Sequence, residues 1–356
     1  MATAVRIGVI YQPGDVMRSA LRDRLLGARL AAEATTEHEP ASSSAVELIE
    51  RHLGADVPSL GDVVSELVHD AGCNAVLGFV SVPNALQLAD RSEAEGVLYF
   101  TPNNGTIWSG RRGVFYLGVP HEVTASGSVR YLRDERGTER LYILYMPGEF
   151  AARARDCTVT AAAAQGLTTL TSQIGESPEG DIRLLEALRS WRPGAVCVLG
   201  GGEHVRLAEL VKRMNAVGVQ PPVLLGRGLL CREFAQLCGQ AADGYDFVDC
   251  YLRGDAANEE EKHLTQRLGA IDPELVPTAS HGWGWDCLRL AVKAFQEAGP
   301  RFQDQVALVE GLKGYPGVTG VMSFAANDHN GHWQDDPTTI ARLAGGRYTN
   351  VSTLGR

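Results

Sequence analysis

Lysine is scarce in this sequence, with four residues (212, 262, 293 and 313) among 33 basic side chains. The remainder is arginine, which reads as a compositional bias. No block of consecutive basic residues and no aromatic–basic interleaving occurs, so the electrostatic footprint of a nucleic-acid binder is missing. The formal charge of −10 points the same way. No run approaches the ~18 apolar residues of a membrane helix, which excludes a helical span. Gly-x-Ser-x-Gly and His-Glu-x-x-His are both absent, and with them the commonest hydrolase signals. The seven cysteines (Cys73, Cys157, Cys197, Cys231, Cys238, Cys250 and Cys287) are odd in number and scattered, some of them inside apolar runs. A small disulfide-stapled secreted domain would show an even framework, so buried free thiols and a reducing compartment are expected.

What is present is 356 residues with 44% apolar side chains, enough for about two domains with their own cores. Short apolar runs recur at Val5–Tyr11, Ala75–Val80, Gly96–Phe100, Gly113–Val119, Leu141–Met146, Ala195–Leu199, Pro222–Leu225 and Gly244–Tyr251. Most are followed by helix-length amphipathic stretches, the signature of parallel βα units covered on both faces. Leu207, Leu210, Val211 and Met214 form one apolar helical stripe, with Gly218 as its stop. Trp285, Leu288, Val292 and Phe295 form another, ending at Gly299-Pro300. Two βα series result, roughly 5–119 and 140–249. The remainder, 250–356, reads as helices with only one or two strands that pack back onto the first two series.

Chemistry is sparse. Gly200-Gly201-Gly202 follows a strand and opens a helix, a context for anion binding by backbone N–H groups. The third glycine of a dinucleotide fingerprint is replaced by Val205, and no phosphate-loop lysine follows. Either this is a tight turn under a ligand cleft, or Glu203 or His204 serves as acid or base in an α/β enzyme. Asp328-His329-Asn330-Gly331-His332 lacks further ligands at metal-site spacing and reads as a polar turn, so neither a metal nor a cofactor is expected. What remains lies at the carboxyl ends of strands, where open α/β sheets bind ligands: Phe79 and Ser81, then Thr101, Pro102, Asn103 and Asn104, then Tyr145 and Phe150, and Arg227 after Leu224-Leu225-Gly226. These offer hydroxyls, amides and one guanidinium fork suited to a carboxylate, without a nucleophile–base pair. That inventory suits holding a small polar molecule.

The order of these motifs resembles the type I periplasmic-binding-protein fold, in the branched-chain amino-acid, urea and short-amide binding family, with the amide-sensor and urea-binding branch most similar. Ile7-Gly8-Val9-Ile10-Tyr11 through Gly27–Glu33 looks like the family's opening strand and helix. Thr101-Pro102-x-x-Gly105 resembles a turn of the amide branch, and Val114-Phe115-Tyr116-Leu117-Gly118 the strand that ends the first lobe. Asn327-Asp328-His329 followed by Ile340-Ala341-Arg342-Leu343 resembles the branch's closing pattern. The resemblance implies ligand contacts at Phe79, Ser81, Thr101, Pro102 and Phe150. It departs from the amide branch at Asn103 and Asn104, which stand where that branch has Tyr-Glu. Arg227 lies near the place of the acid that grips the ammonium in amino-acid binders, which argues for a neutral or anionic ligand.

The expectation is an α/β protein of two doubly wound, Rossmann-like lobes joined by a multi-strand hinge. Residues 1–119 with 250–324 would form the N-terminal lobe, and 120–249 with 325–356 the C-terminal lobe. Its function would be that of a non-catalytic receptor closing on a small polar ligand such as an amide, a urea-like compound or an organic acid; the alternative is an α/β enzyme with an anion-binding turn at Gly200–Gly202. Partners would be an ABC permease or a cytosolic regulatory protein, with a homodimer also compatible. The first residues enter a strand rather than an export signal, so the cytoplasm is the expected compartment, or the periplasm or cell exterior if a leader was removed.

Overall fold

The computed structural model describes residues 4–12, 18–38, 45–54, 59–103, 110–175, 177–200, 203–219, 222–226, 228–249, 258–273, 275, 277–333 and 338–354. Two compact units share the chain, Met1–Val119 with Asp255–Asp335, and Pro120–Gly254 with Asp336–Arg356.

The first unit opens with β1 (Val5–Tyr11), α1 (Arg18–His38), β2 (Val46–His52), α2 (Leu60–Ser65), β3 (Ala75–Phe79), α3 (Val82–Glu95), β4 (Leu98–Thr101) and β5 (Val114–Tyr116). The second contains α4 (His121–Arg130), β6 (Arg140–Tyr145), α5 (Glu149–Ala164), β7 (Thr168–Gln173), α6 (Pro178–Trp191), β8 (Ala195–Leu199), α7 (His204–Ala216), β9 (Val223–Leu225), α8 (Arg232–Cys238) and β10 (Asp246–Asp249). The chain then returns to the first unit for α9 (Glu259–Ile271), α10 (Ala279–Ala298), α11 (Phe302–Gly311), β11 (Tyr315–Gly317), β12 (Gly320–Ala325) and β13 (Asp328–Trp333), and ends in the second with β14 (Thr339–Ala344) and β15 (Arg347–Thr353).

The sheet orders are β11-β12-β13-β5-β4-β3-β1-β2 and β15-β14-β10-β9-β8-β6-β7. Within each, five parallel strands run second-first-third-fourth-fifth in that unit's own count. Strand order therefore reverses between β1 and β3 in one unit and between β6 and β8 in the other. Those are the crevices where doubly wound sheets bind ligands. The central strands β3, β4, β5, β8 and β9 are buried at every residue, as their unbroken apolar runs require. Leu207, Leu210, Val211 and Met214 are all buried on α7, and Trp285, Leu288 and Val292 on α10, with Phe295 half-buried.

Three expectations are corrected. The segment after 250 holds five strands among the described residues, not one or two. β11, β12, β14 and β15 pair antiparallel and mix polar with apolar residues, so they lack the run that marks a buried parallel strand. The edge strands β2 and β7, rich in Glu, Thr and Gln, escaped notice for the same reason. Asp328–His332 lies in a strand rather than a turn: β13 sits between β12 and β5. His329 is buried there, stacked on Phe115 at 4.4 Å, with Nδ1 3.0 Å from the Val114 carbonyl and Nε2 2.9 Å from Glu310 Oε1.

One helix pair sets the depth of the first unit's core. α1 and α10 approach backbone to backbone. A Cβ on Gly27 would stand 2.0 Å from the His281 carbonyl oxygen, and one on Gly284 would stand 1.8 Å from that of Arg24. Glycine is the residue that fits there.

Candidate functional site

In the first unit, the site is built at the β1/β3 switch point. β1 runs out at Tyr11, and Gln12 follows with its backbone N–H donating to the Phe79 carbonyl at 3.2 Å. Gln12 Oε1 accepts from Asn84 Nδ2 at 2.9 Å and from the Ser81 amide at 3.4 Å. Ser81 is the N-cap of α3, yet its hydroxyl makes no capping bond, and the residue is exposed. The first-turn N–H groups of a helix have no intrahelical acceptors, and the dipole adds positive potential. No acidic residue in that turn cancels it.

The next loop is braced against the first. Thr101, fully buried, donates through Oγ1 to the Gly78 carbonyl at 3.0 Å and accepts from the Asn103 amide at 3.3 Å. Asn103 Nδ2 donates to the Val80 carbonyl at 3.1 Å. Pro102 is buried beside them. Gln12, Ser81, Asn84, Thr101 and Asn103 thus form a neutral hydrogen-bonding set, with no ionised side chain among these described residues.

In the second unit the corresponding switch point lies between β6 and β8, where the Met146 amide donates to the Leu199 carbonyl at 2.9 Å. Gly148 caps α5 at φ 114°, a conformation that favours glycine. It turns the chain so that Glu149 and Phe150 open the helix. Phe150 is half-buried and packs edge-to-face on His121 with ring centroids 4.6 Å apart. Tyr145 is half-buried under the Arg155 guanidinium, 4.7 Å from its ring centroid. Arg155 is held further into its charged form by hydrogen bonds to Asp156 and Tyr145.

The structure therefore gives the expected residues different roles. Ser81 and Asn103 stand at the first unit's strand ends, and Tyr145 and Phe150 at the second's. Phe79 is fully buried. It shares strand parity with Ala75 and Leu77, so its ring belongs to the core and its carbonyl is what reaches the strand end. The Thr101 hydroxyl is occupied in bracing its loop. Asn104 and Arg227 lie outside the described residues, as do Gly201 and Gly202. Gln12 and His121 were missed. The signal for Gln12 was its place just after the first strand, which the switch-point rule marks as strongly as the ends of the third and fourth.

The cysteines bear on compartment less than their number suggested. Cys73, Cys197, Cys231, Cys238 and Cys287 are free and buried, and Cys157 is free and half-buried. Buried free cysteine packs as a small hydrophobe, so the count reports core composition. None of the described helices is long and apolar enough to cross a membrane, and no group of three or more potential metal-binding side chains occurs among the described residues.

The chain matches the family model described as "Periplasmic binding protein" over residues 4–347. No curated protein sequence matches it. Among solved structures it is similar to the leucine-binding protein LivK of Thermotoga maritima, with a TM-score of 0.83, 16% identity and 98% of each chain covered. It is also similar to LivJ of Streptococcus pneumoniae, a substrate-binding protein of a branched-chain amino-acid transporter solved with isoleucine (TM-score 0.81, 15% identity, 97% of this chain and 98% of that one). A third is an ABC transporter substrate-binding protein of Desulfitobacterium hafniense solved with leucine (TM-score 0.81, 17% identity, 98% and 100% covered). At these identities the structures speak for the fold. The family description is periplasmic, and it lends the cytoplasmic expectation no support. The enzyme alternative at Gly200–Gly202 gains none either. With the fold matched end to end and the family model spanning residues 4–347, the chain belongs to the type I periplasmic binding proteins, receptors that take up a solute without chemically changing it.

Proposed function

We propose that this chain is the substrate-binding component of an ABC importer, acting outside the cytoplasmic membrane, and that its solute presents a neutral or anionic polar group: an amide, a urea-like compound or a small organic acid. The observation that carries the reading is the neutral set at the β1/β3 switch point. Ser81 Oγ is free of capping duty there, Gln12 and Asn84 are paired beside it, and the α3 N-terminus adds amide donors. Such groups match a carbonyl or carboxylate oxygen and an amide N–H. An α-ammonium calls for a carboxylate, and none stands in that set. The leucine and isoleucine bound by two of the structural relatives are therefore the comparison compounds rather than the expectation.

Thermal denaturation across short amides, urea, small carboxylates and aliphatic amino acids tests this. A solute at a hundred times its Kd adds about 2.7 kcal/mol to the stability of the state that binds it. For units of this size that is a rise of about 5–10 °C in Tm. Stabilisation by amides or carboxylates is expected. Stabilisation by leucine and isoleucine alone, or turnover of any compound, would overturn the proposal.

A further inference from the structure

None of the six described cysteines is joined in a disulfide, and around five of them the surroundings oppose a thiolate. Burial pushes Cys73 and Cys157 up to about 11, Cys197 and Cys238 up to about 12, and Cys287 well above the usual thiol range. At Cys157, the most exposed of the six, the Glu122 carboxylate adds to the effect of burial by accepting from the thiol. These five are inert by chemistry as well as by packing.

Cys231, in the second unit, has different neighbours. It stands directly before α8, where its Sγ accepts from the Phe234 amide at 3.4 Å. The imidazole of His204, the first residue of α7, also faces the sulfur, with Nδ1 4.0 Å from Sγ. Its Nε2 lies 3.1 Å from the Gly228 carbonyl oxygen. A carbonyl only accepts, so Nε2 carries the ring proton and the neutral imidazole turns the lone pair of Nδ1 toward the thiol. Packing fixes both partners: the Phe234 ring meets His204 edge-to-face with centroids 5.9 Å apart, and Tyr348 of β15 donates to the Cys231 carbonyl at 3.0 Å. Each of the two residues keeps 6% of its surface exposed, contact enough for a reagent little larger than water and too little for a bulky one.

We infer that Cys231 and His204 form a thiol–imidazole pair that makes Cys231 a modification site, the first of the six described cysteines to be oxidised by a peroxide. A base beside the sulfur and an N–H donating to it both favour the thiolate, which is the nucleophile. The thiol proton passes to Nδ1, the sulfur attacks one peroxide oxygen, and an S–O bond forms as the O–O bond breaks. The departing hydroxide takes the proton back from the imidazolium and leaves as water. Sulfur gives up two electrons and ends as a sulfenic acid, while the peroxide is reduced. The receptor itself is modified; its solute takes no part.

The test exposes the full, folded chain to hydrogen peroxide near neutral pH for timed intervals, quenches with catalase, unfolds it into dimedone to trap sulfenic acid, and reads each cysteine by peptide mass spectrometry. Cys231 should be oxidised about tenfold or more faster than Cys157, although Cys157 is the more exposed. His204→Gln keeps a donor for the Gly228 carbonyl and removes the base. It should slow Cys231 about tenfold or more and leave Cys157 unchanged, with an unaltered melting temperature showing that it folds. Oxidation of Cys157 ahead of Cys231, or a Cys231 rate unmoved by His204→Gln, would overturn the inference. If the variant melts early, the order of oxidation in the wild-type chain decides by itself.

Discussion

Gln12 and Asn84 pair across 72 positions of sequence, and the Ser81 amide leans on the same carbonyl oxygen. Replacing Ser81 with Ala should weaken solute binding about fivefold, the size of one neutral hydrogen bond, and leave the unliganded Tm unchanged, because its hydroxyl makes no cap. Gln12→Ala should weaken binding by a similar factor and also lower Tm slightly, since Asn84 loses its partner. Calorimetric titration beside thermal denaturation separates the two effects.

A second residue-scale prediction concerns acid. His281 closes a capping box with Thr278 at the start of α10: its Nδ1 accepts from the Thr278 amide at 3.2 Å. Burial pushes its imidazole down to about 4, even with the Asp23 carboxylate 3.5 Å from Nε2. Between about pH 6.5 and 4 the unfolded chain takes up a proton that the folded chain refuses. Stability is therefore intact above pH 6.5 and lost as pH falls, by on the order of 2–3 kcal/mol. Burial raises the Asp286 carboxyl to about 7 despite three donors on it. Its effect has the opposite sign, with stability lost as pH rises from about 4 to 7. His281→Gln keeps the box and leaves Asp286 untouched, so comparing its Tm with wild type from pH 7 to 4 isolates the histidine. The variant should lose less on acidification, and equal loss would refute the assignment.

At the scale of elements, two contacts carry more weight than their residues suggest. The α1/α10 crossing depends on Gly27 and Gly284, and Gly284→Val drives a side chain into the Arg24 carbonyl. Overpacking against backbone should cost about 3 kcal/mol or more, seen as a drop in Tm of roughly 6–12 °C. In the second unit β14 is tied to β10 by Arg342, whose Nε meets Asp246 Oδ1 at 2.7 Å while Tyr131 donates to Oδ2 at 2.5 Å. Asp246 is almost wholly buried. Arg342→Met leaves that carboxylate short of a partner and should cost about 3–5 kcal/mol, measured by denaturant unfolding. Neither contact was visible in sequence. Gly27 and Gly284 are 257 positions apart and Asp246 and Arg342 are 96 apart, and no local periodicity links such positions. The strands divide the same way. β8 was legible to the residue because every position is apolar and buried, and β1 because all but Arg6 and Tyr11 are buried. β7, TTLTSQ on a sheet edge, was not, because solvent on one side permits the polar residues that blur the pattern.

For the whole molecule, the residues suggested two βα series and a receptor, and the family match bears out both the fold and the absence of catalysis. The composition, the parallel strands and the missing catalytic motifs were determined by sequence alone, because they depend on residue type and short-range spacing. Only the tertiary structure decided which strand-end residues are free to act. Phe79 and the Thr101 hydroxyl turn out to be committed to the core and the loop, while Gln12 and Asn84 come together. The scarcity of lysine and the odd number of thiols describe this chain's composition. The work of a side chain is set by which partners folding has already given its polar atoms, and that depends on neighbours far away in sequence.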